Sequence, residues 1–74
     1  MAKNKSGSAV YRVTEVIGTS TTSWEDAAKN AVETAAKSLR DLRVAEIEEL
    51  DMKIENGKVV AYRARVSLSF KYEA

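Results

Sequence analysis

The sequence contains neither cysteine nor histidine. Without cysteine the chain can form no disulfide, no thiolate zinc site and no sulfur nucleophile. Without histidine it lacks the commonest general base, the commonest metal ligand and the side chain that titrates near neutral pH. No other nucleophile lies beside a base in a recognisable pattern. These absences predict a protein that is not an enzyme.

Charge of one sign and long hydrophobic runs are also lacking. Twelve basic and eleven acidic residues leave a net charge of +1, which does not indicate a nucleic-acid or membrane partner. No apolar run approaches the about 18 residues of a membrane span, and residues 1–9 lack the apolar core of a signal peptide. We therefore expect a cytoplasmic protein. Its 74 residues allow only a thin core, which favours stabilisation by self-association.

One long alternating stretch dominates what is present. Residues 58–72, KVVAYRARVSLSFKY, alternate between two sets of side chains, which predicts a strand of about 50 Å. The helix that the chain can offer has about 18 residues and a length of about 27 Å. Because the helix cannot cover the whole strand, we expect the uncovered apolar end to lie against another subunit of a homo-oligomer.

The preceding residues predict a tail, a strand and a helix. Residues 1–9 are polar and small and predict a flexible N-terminal tail, followed by a single domain over 10–74. A strand is predicted over 10–17 and a turn over 18–21. A capping box places the helix N-cap at Thr22 or Ser23, and the helix runs to about Leu42. Its apolar stripe, built mostly from alanine, consists of Trp24, Ala28, Ala31, Val32, Ala35, Leu39 and Leu42. Trp24 is expected to pack on the core.

A hairpin completes the predicted fold. Strands over 44–54 and 58–72 are joined by Asn56-Gly57, the dipeptide of a type I′ turn. An unbroken ladder from this turn places Glu48 opposite Arg65 and Leu50 opposite Arg63. The fold class is α+β, with the order β-α-β-β. Its three-stranded antiparallel sheet has the order 1-3-2 and is partly wrapped around one helix.

Two arginines form the first candidate site. Arg63 and Arg65 point away from the helix, on a face that could line the interior of a closed shell and hold a phosphate or carboxylate. The alternative is an ordinary cross-strand pair with Glu48 plus solvent. In the predicted register Arg63 faces no carboxylate, so its guanidinium is expected to be freer than that of Arg65.

An acidic stretch is the second candidate, and it consists of Glu46, Glu48, Glu49, Asp51 and Glu55. Calcium needs six to eight oxygen ligands. Strict alternation would put the first two carboxylates on one face and the next two on the other, so one strand could not gather them all. A symmetry axis could bring copies together, which makes Glu46 and Glu48 the metal candidates. The alternative is a solvated, salt-bridged edge.

Three stretches give the sequence a resemblance to a known family. YRVTEVIGTSTTSWEDAA, SLRDLRVAEIEELDMKI and GKVVAYRARVSLSFKYE closely resemble the dodecins, over about residues 10–73. The resemblance implies a hollow shell of twelve subunits. In flavin-binding members a tryptophan stacks on the flavin and a glutamine bonds to its edge. These positions fall on Val44 and Arg63, so binding of FMN or riboflavin is expected to be weak or absent.

The SWEDAA and RVAEIEELDM segments look more like the branch described as calcium dodecins. The expected function is a non-enzymatic small-ligand-binding or storage protein that forms a dodecameric shell. A calcium- or other cation-binding shell and a ligand-free structural assembly are the alternatives. The ligand-binding candidates are Val44, Glu46, Arg63 and Arg65, and the ligand itself is expected to be a small anion or a cation.

Overall fold

The computed structural model describes residues 10–71. It contains β1 (Tyr11–Ser20), α1 (Trp24–Ala36), β2 (Leu42–Glu55) and β3 (Lys58–Lys71). β3 is central and antiparallel to both neighbours, so the sheet order is β1-β3-β2. The predicted α+β class, element order and sheet order are confirmed. The predicted tail, residues 1–9, and the end of the last predicted strand, residue 72, lie outside the described residues.

β1 differs from its predicted bounds at both ends. It begins at Tyr11 and continues through Gly18 to Ser20, so the turn predicted over 18–21 is wrong. A Cβ at Gly18 would lie 2.1 Å from the carbonyl oxygen of Ala27, a distance that no real side chain allows. The glycine therefore lets the helix lie directly on the strand, and it does not mark a turn.

The helix starts at the second of the two predicted caps. The Ser23 hydroxyl accepts a hydrogen bond from the Asp26 amide at 3.0 Å, which satisfies one of the free amides of the first turn. Ser20 supports the same turn from the end of β1, because its hydroxyl accepts from the Thr22 amide at 2.9 Å and donates to the Asp26 carboxylate at 2.7 Å. The strand and the helix are thus joined by a short, hydrogen-bonded connection.

The helix ends earlier than predicted. Its last residue is Ala36, and the amides of Ser38 and Leu39 close the final turn by donating to the Ala35 carbonyl. Leu39 and Leu42 still pack against the core, although neither is helical. The predicted stripe was therefore right that Leu39 and Leu42 contact the core and wrong that they belong to the helix. Within residues 10–71 the helix is neither long nor apolar enough to cross a membrane.

The core lies where the helix meets β1 and β3, and it is small. Its buried residues are Ala27, Ala31, Ala64, Val66 and Leu68. Ala27 is fully buried but was absent from the predicted stripe. Small side chains on the helix allow close packing against the sheet, so the core depends on shape complementarity more than on large apolar side chains.

The hairpin has the predicted turn but not the predicted ladder. Asn56 and Gly57 have φ angles of 52° and 75°, as a type I′ turn requires, and Ile54 lies opposite Val59. Between Lys53 and Ile54 the register shifts by one residue, which leaves Val60 of β3 without a partner on β2, and between Ile47 and Glu49 it shifts back. Glu48 is thus the extra residue of a β-bulge, and the predicted pairing of Glu48 with Arg65 is wrong.

The two register shifts change which side chains lie opposite each other. Asp51 lies opposite Arg63 and Glu49 opposite Arg65, while Leu50 lies opposite Ala64. The predicted pairing of Leu50 with Arg63 is therefore also wrong, because the extra residue Val60 displaces the pairing of residues 49–53 by one place until Glu48 restores the predicted register. We call the sheet face that bears Arg63 and Arg65, away from the helix, the open face.

The far end of the hairpin is apolar and uncovered. Leu50, Met52, Ile54 and Val59 lie on the helix side of the sheet and remain 43–60% exposed, and we call them the hairpin patch. The 14 residues of β3 span about 46 Å, whereas the 13 residues of α1 span about 20 Å. The radius of gyration is 15.5 Å, against about 11 Å for a compact domain of this length. One copy cannot bury its own hairpin.

Candidate ligand-binding face

The open face carries a two-pronged ion pair between neighbouring strands. Arg63 Nε donates to Asp51 Oδ1 at 2.7 Å, and Arg63 Nη2 donates to Asp51 Oδ2 at 2.9 Å. The prediction that Arg63 faces no carboxylate is wrong, since the register shift at Val60, which the bulge at Glu48 later reverses, places Asp51 opposite it. Both carboxylate oxygens and two nitrogens of the guanidinium are engaged in this contact.

The pairing of Asp51 and Arg63 shifts the pKa of both groups. The hydrogen bond from Arg63 lowers the pKa of the Asp51 carboxyl below its ordinary value of 3.8, and the charges of Arg63 and Arg65 lower it further. The same bond raises the pKa of the Arg63 guanidinium. Both groups are therefore charged at neutral pH, and their interaction is partly screened because both are exposed to solvent.

Arg65 is held more loosely than Arg63. Its Nε lies 3.6 Å from Glu49 Oε1 on β2, and its Nη1 lies 3.9 Å from Glu15 Oε1 on β1. These distances allow ion pairing but exceed those of good hydrogen bonds. The order of availability is thus the reverse of the predicted one, because Arg63 has the short, two-pronged partner and Arg65 does not.

The two metal candidates lie on β2 and have no cationic partner among residues 10–71. Glu46 lies opposite Ser67, and Glu48 is the extra residue of the bulge. Within residues 10–71 no ion pair involves either of these carboxylates. The described part of the chain also contains no cluster of three or more side chains that could hold a metal. The two glutamates are therefore uncompensated charges, and one copy does not assemble a metal site around them.

The positions that correspond to the flavin contacts lie far apart. Val44 is opposite Ser69 at the start of the hairpin and is 57% exposed. Ser69 and Arg63 are six residues apart on β3, which corresponds to about 20 Å. One copy therefore does not bring Val44 and Arg63 to one ligand, and a site that used both would need more than one copy.

Trp24 packs on the sheet, and it makes one contact that sequence reasoning missed. Its ring meets Tyr62 edge-on, with centroids 5.2 Å apart and planes at 69°. Its indole N–H donates to the backbone carbonyl of Asp51 at 2.9 Å. Beside it lies a shallow cavity of about 460 Å³, lined by Trp24, Glu25, Ala28, Ile47 and Leu50. No local sequence signal indicates this hydrogen bond, because its partners are 27 residues apart.

The fold and the face together define a small α+β protein with a single helix on a three-stranded sheet. The ion pairs that Arg63 and Arg65 form with Asp51, Glu49 and Glu15 lie on the sheet face that the helix leaves open. The Dodecin family model matches residues 10–73, and the chain belongs to the dodecin family.

Known dodecins agree in sequence and in structure. The calcium dodecin of Mycobacterium tuberculosis is 46% identical over 63 residues, which cover 85% of this chain and 89% of that protein. Its crystal structure, described as that of a calcium-chelating immunodominant antigen with a novel calcium-binding site, superposes with a TM-score of 0.77 at 48% identity. That match covers 86% of this chain and 91% of the other. The dodecin of Streptomyces coelicolor gives a TM-score of 0.85 at 36% identity, covering 93% and 99%.

Proposed function

We propose that this dodecin is a non-enzymatic binding protein that functions as a hollow shell of twelve copies of the chain. The hairpin patch is the observation that carries the assembly. Its four apolar side chains lie together on one side of a hairpin that the helix does not reach. A contiguous exposed apolar surface of this kind usually marks an interface. Membership of the dodecin family supports the closed shell.

We further propose that the bound ligand is a cation, with calcium as the first candidate. Four carboxylates, those of Glu15, Glu46, Glu49 and Asp51, surround the two arginines of the open face. Acidic groups therefore outnumber basic groups around the middle of this face. This excess opposes the binding of an anion that Arg63 and Arg65 alone would favour. The similarity to a calcium dodecin supports the same ligand.

The calcium site would combine carboxylates from more than one copy. Glu46 and Glu48 are the best candidates, because no arginine or lysine of residues 10–71 neutralises them. Two carboxylates supply at most four oxygens, whereas calcium takes six to eight. Symmetry-related copies of the same two residues would provide the remainder.

A small anionic ligand is the second candidate, and the loose pairing of Arg65 favours it. The Arg65 side chain is 44% exposed, and its contacts with Glu15 and Glu49 are long. Flavin binding should nevertheless be weak. Val44 offers no ring for stacking, and the guanidinium of Arg63 is already bound by Asp51. Tight, stoichiometric quenching of FMN fluorescence by the purified protein would contradict this expectation.

Calorimetry on the assembled protein tests the cation. We expect calcium to bind more tightly than magnesium, and Glu46→Gln and Glu48→Gln to weaken calcium binding. Glu33→Gln is the matched control, because it removes the same charge from the exposed side of the helix. A particle of twelve copies that takes up no calcium would reject the cation and favour a ligand-free assembly. A stable 8.2 kDa monomer in light scattering would reject the shell itself.

A further inference from the structure

Asp51 lies where three elements of the structure meet. Its carboxylate binds Arg63 on β3, and its backbone carbonyl accepts a hydrogen bond from the Trp24 indole on α1. Its own strand is β2, just after the bulge at Glu48. Among residues 10–71, no other residue of the open face combines a side-chain ion pair with one element and a backbone hydrogen bond from a side chain of another.

We propose that Asp51 determines the charge of the ligands that the open face accepts, by occupying Arg63 and so excluding anionic groups from it. This inference rests on the proposed function, in which the assembled protein binds small ligands on this face. It assigns to Asp51 a specificity-determining role, in which the Asp51 carboxylate competes with anionic ligands for Arg63 and does not bind them itself.

The geometry of the pair supports the competition. An arginine binds carboxylates and phosphates by presenting two parallel N–H groups. In Arg63 the Nε and Nη2 groups already donate to the two Asp51 oxygens at 2.7 and 2.9 Å. A phosphate or carboxylate ligand would have to displace the Asp51 carboxylate, which the strand register places opposite the arginine.

The backbone around Asp51 supports the same conclusion. The Trp24 indole ties the Asp51 carbonyl to the start of the helix at 2.9 Å, and Trp24 is itself packed against Tyr62. These contacts hold this part of β2 in its shifted register. Without the two extra residues, Val60 on β3 and Glu48 on β2, the side chain opposite Arg63 would be Leu50, and the guanidinium would have no cross-strand carboxylate.

Removing the Asp51 charge while keeping its shape tests the proposal. We would titrate inorganic pyrophosphate into the full-length, assembled protein by calorimetry at low salt, comparing wild type with Asp51→Asn. We expect affinity to rise about tenfold, because both N–H groups of the Arg63 fork then become available to the pyrophosphate. The gain should disappear in the double variant Asp51→Asn/Arg63→Gln and should shrink as salt is added.

Glu33→Gln is the matched control, because it makes the same change of net charge on the helix. A gain in Asp51→Asn that merely equals that of Glu33→Gln would overturn the proposal. If Asp51→Asn does not assemble, Asp51→Ser serves instead, because it also removes the carboxylate and leaves the Arg63 guanidinium unchanged. No gain in Asp51→Ser would likewise overturn it.

Light scattering on the same samples separates this inference from the proposed function. A wild-type protein that is a stable monomer would refute the shell. A wild-type particle whose Asp51→Asn variant assembles and binds pyrophosphate no more tightly would refute the role of Asp51 alone.

Discussion

The two ends of the sheet differ in what covers them. Where β3 passes under the helix, Val66 and Leu68 are fully buried, and Gly18 on the neighbouring strand lies directly against the helix backbone. Further along the same hairpin, Leu50 and Ile54 are 50% and 60% exposed although they are as apolar. The first region is packed like the core of a folded domain. The second is as apolar as a core but remains exposed in a single copy. In the proposed assembly, folding and association would therefore depend on different residues.

Substituting the glycines of the two regions should give the sharpest contrast. Gly18→Ala places a Cβ 2.1 Å from the Ala27 carbonyl oxygen and 2.8 Å from the Ala31 Cβ, so the helix must move. We expect a loss of about 3 kcal/mol in the free energy of unfolding, measured by urea denaturation. Gly57→Ala meets no atom within 4 Å, and only its φ of 75° is unfavourable, so about 1 kcal/mol is expected. Equal losses would mean that the close packing at Gly18 is not the limiting contact.

Met52→Asp should break the assembly and leave the folded half intact. Met52 lies in the hairpin patch, and a charge buried there without a partner costs several kcal/mol. We expect light scattering to show a much smaller species, with the helical circular dichroism retained. Lys53→Asp is the control, because the neighbouring side chain points to the open face. If the Met52→Asp protein keeps the full particle mass, the patch is not a subunit contact.

Ser23→Ala should have a moderate effect confined to the helical half. It removes the hydroxyl that accepts from the Asp26 amide, and loss of an N-cap costs about 1 kcal/mol. Urea denaturation should show this loss, while light scattering of the native protein stays unchanged. Ser38→Ala removes only a 3.4 Å contact with the Ala35 carbonyl and should cost less. A change in particle mass in Ser23→Ala would show that the two regions are coupled.

The smallest expected effect is the pH dependence contributed by Asp51. Its pKa is lower in the folded protein than its ordinary value of 3.8, so its stabilising contribution is fully present above that value. The contribution is lost as the pH falls through the lowered pKa, because protonation removes the pairing with Arg63. Between about pH 5 and pH 2 the midpoint temperature of thermal unfolding should therefore fall slightly less in Asp51→Asn than in wild type. An identical slope in the two proteins would indicate that the pair adds nothing to stability.

Periodicity and turn chemistry predicted the architecture of the chain. The alternation of residues 58–72 indicated the central strand, and Asn56-Gly57 indicated the hairpin turn, since both signals are local. The mismatch in length between this strand and the helix also indicated an uncovered apolar end. The bounds of the elements were less predictable. Gly18 has the sequence pattern of a turn, and its close contact with Ala27 becomes visible only when the helix is placed on the strand.

The sequence by itself determined which residues could carry charge at the candidate site, and only the tertiary structure decided which of them meet. The sequence alone identifies the charged residues of the site, namely Arg63, Arg65 and the acidic residues of β2. Their pairing depends on two register shifts, at Val60 of β3 and at Glu48 of β2, which no local pattern marks. A ladder read by strict alternation placed Leu50 opposite Arg63, and the displaced segment between the two shifts put Asp51 there instead. Because side chains alternate with a period of two, a shift of one residue exchanges an apolar neighbour for an ionic one and so changes the chemistry of this part of the face.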